Sequence, residues 1–397
     1  MAKQIVNHSS NYWIKAHKVL QFYHQAKSQP SKKTFLQGDG ETLSYGELSG
    51  QLGRINQLLS ASELSPGDKV IICSKDHALV APLFLGLVDN GIVPVITDPE
   101  LRATEFEHTR LLVGAQGCIM DQVAIDRCCP GDPGLKIKLT VRKSPAKSNF
   151  MNKLLGAKRK ESAQPDFYPA ILDTLEPTAP AEMPSREDLA YILTTSGSTS
   201  TPKPVPINRG ALFDHLATLK RQFGYSEDSV LLNLLPLHHT DGLVQGPVLS
   251  CFNGATWVRP FTFSIQNIEP LLLSLYRYKV THTIFVPTIL ALVKRLANAG
   301  LADSFDYEEF HCVISCAGYL ERQLWENFEQ SFNVRIANLY GLTETVTGAI
   351  YCGPDEQTRR VGSIGKPVDC SARIVDDQGV DVPAGEVGEL LLSGSNV

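Results

Sequence analysis

Runs of four or five apolar residues alternate along most of the chain with longer stretches whose apolar positions recur every three or four residues. The first pattern predicts buried strands, the second amphipathic helices. Residues 11–27 read as an amphipathic helix. Leu43-Ser44-Tyr45-Gly46-Glu47-Leu48 reads as a short strand or turn entering a helix that continues through Leu58 and Leu59. Lys69-Val70-Ile71-Ile72-Cys73 is a predicted strand, 77–87 a helix and Ile92-Val93-Pro94-Val95-Ile96 a strand, with Thr97-Asp98-Pro99-Glu100 as the cap of the next helix. Farther on, 229–234, 283–286, 312–315 and 334–337 are predicted strands. Residues 270–278 and 288–299 are predicted helices, the latter stopped by Gly300. Such alternation implies a parallel sheet covered on both faces. From Val361 the pattern changes to glycine-punctuated short strands, Ala372-Arg373-Ile374-Val375 and Glu389-Leu390-Leu391-Leu392, which predict a small, mostly antiparallel unit.

Composition narrows the class. The chain has 397 residues, 43% of them hydrophobic, and a formal net charge of -5. It is long enough for two or more packed units, and its mild acidity argues against general nucleic-acid binding. The longest apolar run, 78–88, is interrupted by Pro82 and ends at Asp89, so it reads as a buried core element rather than a membrane span. The polar start Met1-Ala2-Lys3-Gln4 has no hydrophobic targeting core, and nine cysteines scatter without metal spacing; both fit a cytoplasmic protein with reduced thiols. The segment 136–160 concentrates Lys136, Lys138, Arg142, Lys143, Lys147, Lys153, Lys158, Arg159 and Lys160. It is expected to be a solvated surface insertion; the alternative is a basic amphipathic helix touching anionic lipid.

The chemistry concentrates after an apolar segment. Tyr191-Ile192-Leu193 runs into the hydroxyl- and glycine-rich Thr194-Thr195-Ser196-Gly197-Ser198-Thr199-Ser200-Thr201-Pro202-Lys203, and Asn208-Arg209-Gly210 then opens a helical pattern. Strand, flexible loop and helix form an arrangement that wraps phosphate through freed backbone N–H groups, hydroxyl donors and a lysine point charge. The loop has neither the Walker nor the dinucleotide glycine signature, and it lacks the hydrolase nucleophile elbow.

Five further stretches stand in order around this loop. They are Leu43 to Leu48, Gly86-Leu87-Val88-Asp89-Asn90-Gly91-Ile92-Val93-Pro94-Val95-Ile96-Thr97-Asp98-Pro99, Pro236-Leu237-His238-His239-Thr240-Asp241-Gly242, Asn338-Leu339-Tyr340-Gly341-Leu342-Thr343-Glu344, and Gly385-Glu386-Val387-Gly388-Glu389-Leu390 with Gly394. Together they resemble the N-terminal domain of the adenylate-forming superfamily: acyl- and aryl-CoA synthetases, acyl-AMP ligases, firefly-type luciferases and nonribosomal peptide synthetase adenylation domains. The resemblance covers almost the whole chain. Pattern and resemblance together give an α/β fold: two helix-covered, largely parallel sheet subdomains at 1–184 and 185–345, and a small antiparallel, β-barrel-like subdomain at 346–397.

The resemblance implies that a carboxylate attacks the α-phosphorus of ATP, giving acyl-AMP and pyrophosphate. It implies that Thr195, Ser196, Gly197, Ser198, Thr199 and Lys203 hold the β- and γ-phosphates. Tyr340 would stack on adenine, with Ala317, Gly318 and Tyr319 forming a small-residue turn against the base and Asn338 and Leu339 beside it. Thr343 would bond the α-phosphate and Glu344 would hold Mg²⁺. His239 would line the acyl pocket with Gly242, Gln245, Val286, Ser315, Gly341, Leu342 and Val346. This lining is largely apolar, with Gln245 a polar exception, so a fatty or aryl acid is expected over a charged one. An amino-acid substrate is disfavoured, because a histidine stands where amino-acid-activating relatives place an aspartate. Asp241 is read as a turn aspartate before Gly242, the alternative being contact with a polar or cationic substrate group. Coenzyme A or a carrier-protein phosphopantetheine would accept the acyl group.

Two departures from the family pattern, Ser200 for glycine and Tyr319 for proline, leave a non-catalytic acyl-adenylate-binding relative as the rival. The family's ribose-binding aspartate motif, hinge and lysine-bearing C-terminal lid do not appear before Val397. The chain is therefore expected to be truncated, or to work with a separate partner, and to adenylate slowly by itself.

Overall fold

A computed structural model describes residues 20–38, 40–129, 134–141, 167–181, 183–195 and 203–397. In chain order its strands are β1 (Thr34–Gly38), β2 (Thr42–Ser44), β3 (Lys69–Cys73), β4 (Val93–Ile96), β5 (Ala115–Asp121), β6 (Ile137–Val141), β7 (Phe167–Tyr168), β8 (Leu189–Thr195), β9 (Lys203–Asn208), β10 (Val230–Asn233), β11 (Thr256–Arg259), β12 (His282–Phe285), β13 (Cys312–Ser315), β14 (Ile336–Tyr340), β15 (Ile350–Cys352), β16 (Lys366–Pro367), β17 (Cys370–Val375) and β18 (Glu389–Gly394). They form a seven-stranded sheet in the order β7-β6-β5-β3-β4-β8-β9, a nine-stranded sheet in the order β16-β15-β14-β13-β12-β10-β11-β1-β2, and the pair β17-β18.

Both large sheets are mainly parallel, as the apolar runs predict. The strands β3, β4, β12 and β13 are almost wholly buried, with Lys69 alone half-exposed, which is what helices on both faces require. Local signals set the helix starts. Ser44 accepts from the Glu47 backbone N–H while the Glu47 carboxylate accepts from that of Ser44, so the helix Tyr45–Ser60 opens on a capping box. Asn208 caps the helix Arg209–Phe223 by accepting from Ala211, and Gly224 ends it in the left-handed region. One core packs both sheets around the buried helix His77–Asp89. No helix among the described residues is long and apolar enough to cross a membrane.

The structure corrects several expectations. The sheets ignore a boundary at 184/185: β8 and β9 complete the first sheet, whereas β1 and β2 lie at the edge of the second, beside β11. The parallel pairings of β4 with β8 inside the first sheet and of β1 with β11 inside the second join strands far apart in the chain, and no local pattern encodes either. Past 345, β15 and β16 extend the second sheet, so the small unit is an antiparallel pair rather than a barrel. Lys136 and Lys138 do not begin an insertion. They flank and enter β6, where Lys136 pairs with Asp68 at 2.8 Å and Lys138 donates to the Cys129 carbonyl. The rest of that basic segment, 142–160, lies outside the described residues, as does 11–19 of the first predicted helix. The helix after β4 is Ala103–Val113 with Arg102 as its cap, because Glu105 reaches back to the Arg102 N–H. The helix Pro287–Leu296 ends before Gly300, where Ala297 turns to extended backbone and Asn298 caps a following 3₁₀ turn.

Candidate functional site

The candidate residues gather because each follows the carboxyl end of a parallel strand, where open α/β sheets place their ligands. Thr195 ends β8; Pro236 to Gly242 follow β10; Val286 follows β12; Cys316 to Tyr319 follow β13; Tyr340 ends β14, and Gly341 to Glu344 follow it. Neighbouring strands bring the groups together. Ser315 and Asn338 are partners in the β13–β14 register, so the Ala317–Gly318 turn and Tyr340 leave the sheet side by side. Ala317 takes φ +58°, a tight turn that leaves Ala317 exposed, together with Gly318 and Tyr319, the latter 85% exposed. The Asn338 amide nitrogen donates to the Ser363 carbonyl, which anchors that side chain at the edge of the turn.

The loop differs from the strand-loop-helix arrangement predicted. Thr195 and Lys203 face each other as partners of an antiparallel hairpin, β8 and β9, and the helix begins only at Arg209. Lys203 is therefore held by strand pairing at the root of the loop, and a helix dipole contributes nothing there. Residues 196–202, with Ser196, Gly197, Ser198 and Thr199, lie outside the described residues. The β9 strand packs with Cα atoms within 8 Å of the turn Thr343–Thr345, which brings segments far apart in sequence to one place. Glu344 is exposed on that turn, and its hard carboxylate oxygens suit Mg²⁺ shared with phosphate.

The turn itself is under strain. Val346 adopts φ +66°, ψ -65°, costly for a β-branched residue. The Val346 N–H donates to the Thr343 carbonyl, and its carbonyl accepts from the Thr240 hydroxyl. The Thr240 contact ties the segment after β10 to the segment after β14. Thr240 had no signal as a tether in the sequence, and neither did the Val346 conformation. A Cβ on Gly341 would stand 2.2 Å from the Thr347 carbonyl oxygen and 2.4 Å from the Gly348 Cα, both backbone atoms. Gly341→Ala is therefore expected to lose about 1–3 kcal/mol of stability from forced overpacking, read by urea denaturation. The same variant should lose ATP binding, because the turn cannot close.

The wall beside this turn is more polar than the sequence suggests. Asp241 is not a solvent-facing turn residue. It is buried in the short helix Thr240–Leu243 and accepts at 2.7 Å from the Gln245 amide, while the Asn233 amide donates to its main-chain carbonyl. Burial pushes the Asp241 carboxyl up to about 6, against the pull of the Cys316 thiol and the Gln245 amide. His239 sits at the rim. Crowding by surrounding protein holds its imidazole below the ordinary value, and the Asp98 carboxylate offsets part of that. His238 is lowered in the same way, by burial first and then by His239, with Asp98 opposing at 3.9 Å. The His77 Nε2 accepts from the buried Arg259 guanidinium at 2.8 Å behind them. These histidines are thus neutral near pH 7, and His239 supplies no fixed anion.

Known proteins resemble this chain in sequence and in fold. The family model described as AMP-binding enzyme matches residues 22–397. The chain is 26% identical over 380 residues to the sulfoacetate–CoA ligase of Cupriavidus necator, covering 94% of this chain and 69% of that protein. It is 27% identical over 370 residues to the 4-hydroxybenzoate–CoA/benzoate–CoA ligase of Rhodopseudomonas palustris, covering 89% of this chain and 62% of that protein. The chain thus spans about two thirds of the length of these relatives. In fold it is similar to the anthranilate CoA ligase AuaEII solved with anthranoyl-AMP, with a TM-score of 0.80 at 22% identity, covering 95% of this chain and 70% of that one.

Proposed function

Because the chain belongs to the AMP-binding enzyme family, we propose that it activates a small carboxylic acid with ATP and hands the acyl group to coenzyme A. The acid's carboxylate oxygen forms a bond to the α-phosphorus, the bond to the bridging oxygen breaks, and pyrophosphate leaves. The coenzyme A thiol then attacks the acyl carbon, AMP departs and the thiol proton is released. Coenzyme A is preferred over a carrier-protein phosphopantetheine because the matched relatives are named CoA ligases.

The observation that carries this reading is the packing of the strand that begins at Lys203 against the turn that holds Thr343 and Glu344. One triphosphate can then meet both. Phosphoryl transfer needs positioning and neutralisation of spreading charge more than covalent help from the protein. Lys203 and the loop hydroxyls would take the β- and γ-phosphates, Thr343 the α-phosphate, and Tyr340 the adenine face. Glu344 would hold Mg²⁺, which when bound neutralises phosphate charge. His239, neutral and at the rim, would orient the carboxylate without competing for it as a cation.

The test is a screen of single carboxylic acids with ATP, Mg²⁺ and coenzyme A. Acid-dependent release of pyrophosphate and AMP is expected. Release of ADP and phosphate, or release that no acid stimulates, would count against the reading.

A further inference from the structure

The φ +66° and ψ -65° of Val346 are those of the rare γ-turn with positive φ, and the Thr347 N–H donates to the Thr345 carbonyl at 2.9 Å, the bond that closes such a turn. A β-branched side chain resists this conformation more than most. The loop that contains it is closed at its base, where the Ala349 N–H donates to the Tyr340 carbonyl at 2.9 Å, and it carries Thr343 and Glu344. Inside the loop the Thr345 hydroxyl accepts from the Leu342 N–H and donates to the Leu342 carbonyl.

Side chains from two other segments grip Val346 and the residue after it. The Thr240 hydroxyl donates to the Val346 carbonyl, and the His215 ring pairs through Nε2 with the Thr347 hydroxyl. Thr240 directly follows His239. His215 lies on the helix Arg209–Phe223, which is joined to Lys203 through β9. All three side chains are buried. Burial pushes the His215 imidazole down to about 3, so the ring is neutral. Its Nδ1 has no partner among the described residues, and its one hydrogen bond there goes to Thr347. A buried ring nitrogen left unmet and a valine held at positive φ are both costly. Native structures keep such costs where surrounding contacts enforce them, and these cluster at functional sites.

We infer that Thr240 and His215, the latter acting through Thr347, are positioning residues that hold Val346 at positive φ and thereby hold Thr343 and Glu344 where the triphosphate and its Mg²⁺ meet them. This rests on the adenylate-forming reading above. Once a tether is lost, Val346 relaxes to negative φ, and the residues just before it shift away from the phosphates. Because the tethers come from the segments that carry His239 and Lys203, they also set the turn in register with both.

The affinity of the chain for a non-hydrolysable ATP analogue with Mg²⁺, read by calorimetry beside the urea unfolding transition of each variant, tests this. Thr240→Val and Thr347→Val keep the side-chain shape and remove the hydroxyl, and each should weaken the analogue about tenfold. Thr240→Ser and Thr347→Ser keep the hydroxyl and should bind within about twofold of wild type. In the Val346→Gly background positive φ is no longer costly, so the same valine replacements should weaken binding by less than about threefold. A role in stability alone would move the unfolding transition and leave the affinity unchanged. The inference is therefore overturned, and the adenylate-forming reading stands, if the valine variants bind the analogue as wild type does. Equal losses for the serine and valine replacements, or equal losses with and without Val346→Gly, overturn it as well. Should Val346→Gly fail to fold, the serine–valine comparison decides. If the wild-type chain does not bind the analogue, the adenylate-forming reading fails and the inference falls with it.

Discussion

Lys203→Ala is expected to lower acid-dependent pyrophosphate release by about 10²–10³-fold while leaving the unfolding transition in place. Lys203 is exposed at the first position of β9, so its side chain contributes little to packing. Its backbone pairing with Thr195 survives the change, because the Thr195 hydroxyl and the ladder both address the main chain of residue 203. What the variant loses is a cation at the start of the strand that packs against the Thr343–Thr345 turn, where, in the proposed reaction, negative charge builds as pyrophosphate departs. Lys203→Arg should recover only part of the rate, since a planar fork replaces a compact point charge on a site shaped for the latter. A rate within threefold of wild type for Lys203→Ala would remove this residue from the phosphate site.

Asp89→Ala is expected to be the most damaging single change to stability, at about 3–5 kcal/mol by chemical denaturation. The helix Phe22–Ser28 has no capping side chain of its own. Asp89, at the end of a helix more than sixty residues away, accepts from the Phe22 N–H at 2.8 Å and the Tyr23 N–H at 2.6 Å. The Arg209 guanidinium lies near enough to act on that carboxyl. It donates to the Val88 carbonyl, while its other nitrogens are buried without partners. Removing the carboxylate strands two buried amides and leaves the buried Arg209 cation with only the weaker influence of Asp188. Asp89→Asn should cost less, because the amide oxygen still accepts one N–H. A loss below about 1 kcal/mol for Asp89→Ala would show that the helix docks through its apolar face alone.

Much of this was readable from residue pattern, and the failures share a cause. The strands β3, β4, β12 and β13 stood out because both their faces are buried, and Asn208 announced its helix through its own side chain. β9 was hidden because Pro204 and Pro206 argue against a strand; they are tolerated on the edge of the sheet, where a missing N–H is not needed. Asp241 was misread because an aspartate before glycine signals a turn, whereas here tertiary burial turns it inward onto Gln245. Gly242 has a different reason to be glycine: a Cβ there would meet the Pro236 carbonyl oxygen at 2.1 Å. The Asp89 cap, the Thr240 tether and the Val346 conformation depend on partners distant in the chain. Local periodicity carries no trace of such pairs.

In the proposed reaction Lys203 and Glu344 serve one nucleotide, and the structure of this chain with Mg²⁺ and a non-hydrolysable ATP analogue tests that directly. The expected result is adenine against Tyr340 and a triphosphate running between Lys203 and the Thr343–Glu344 turn, with the metal on Glu344. A nucleotide bound anywhere else, or one that touches only one of the two residues, would contradict it.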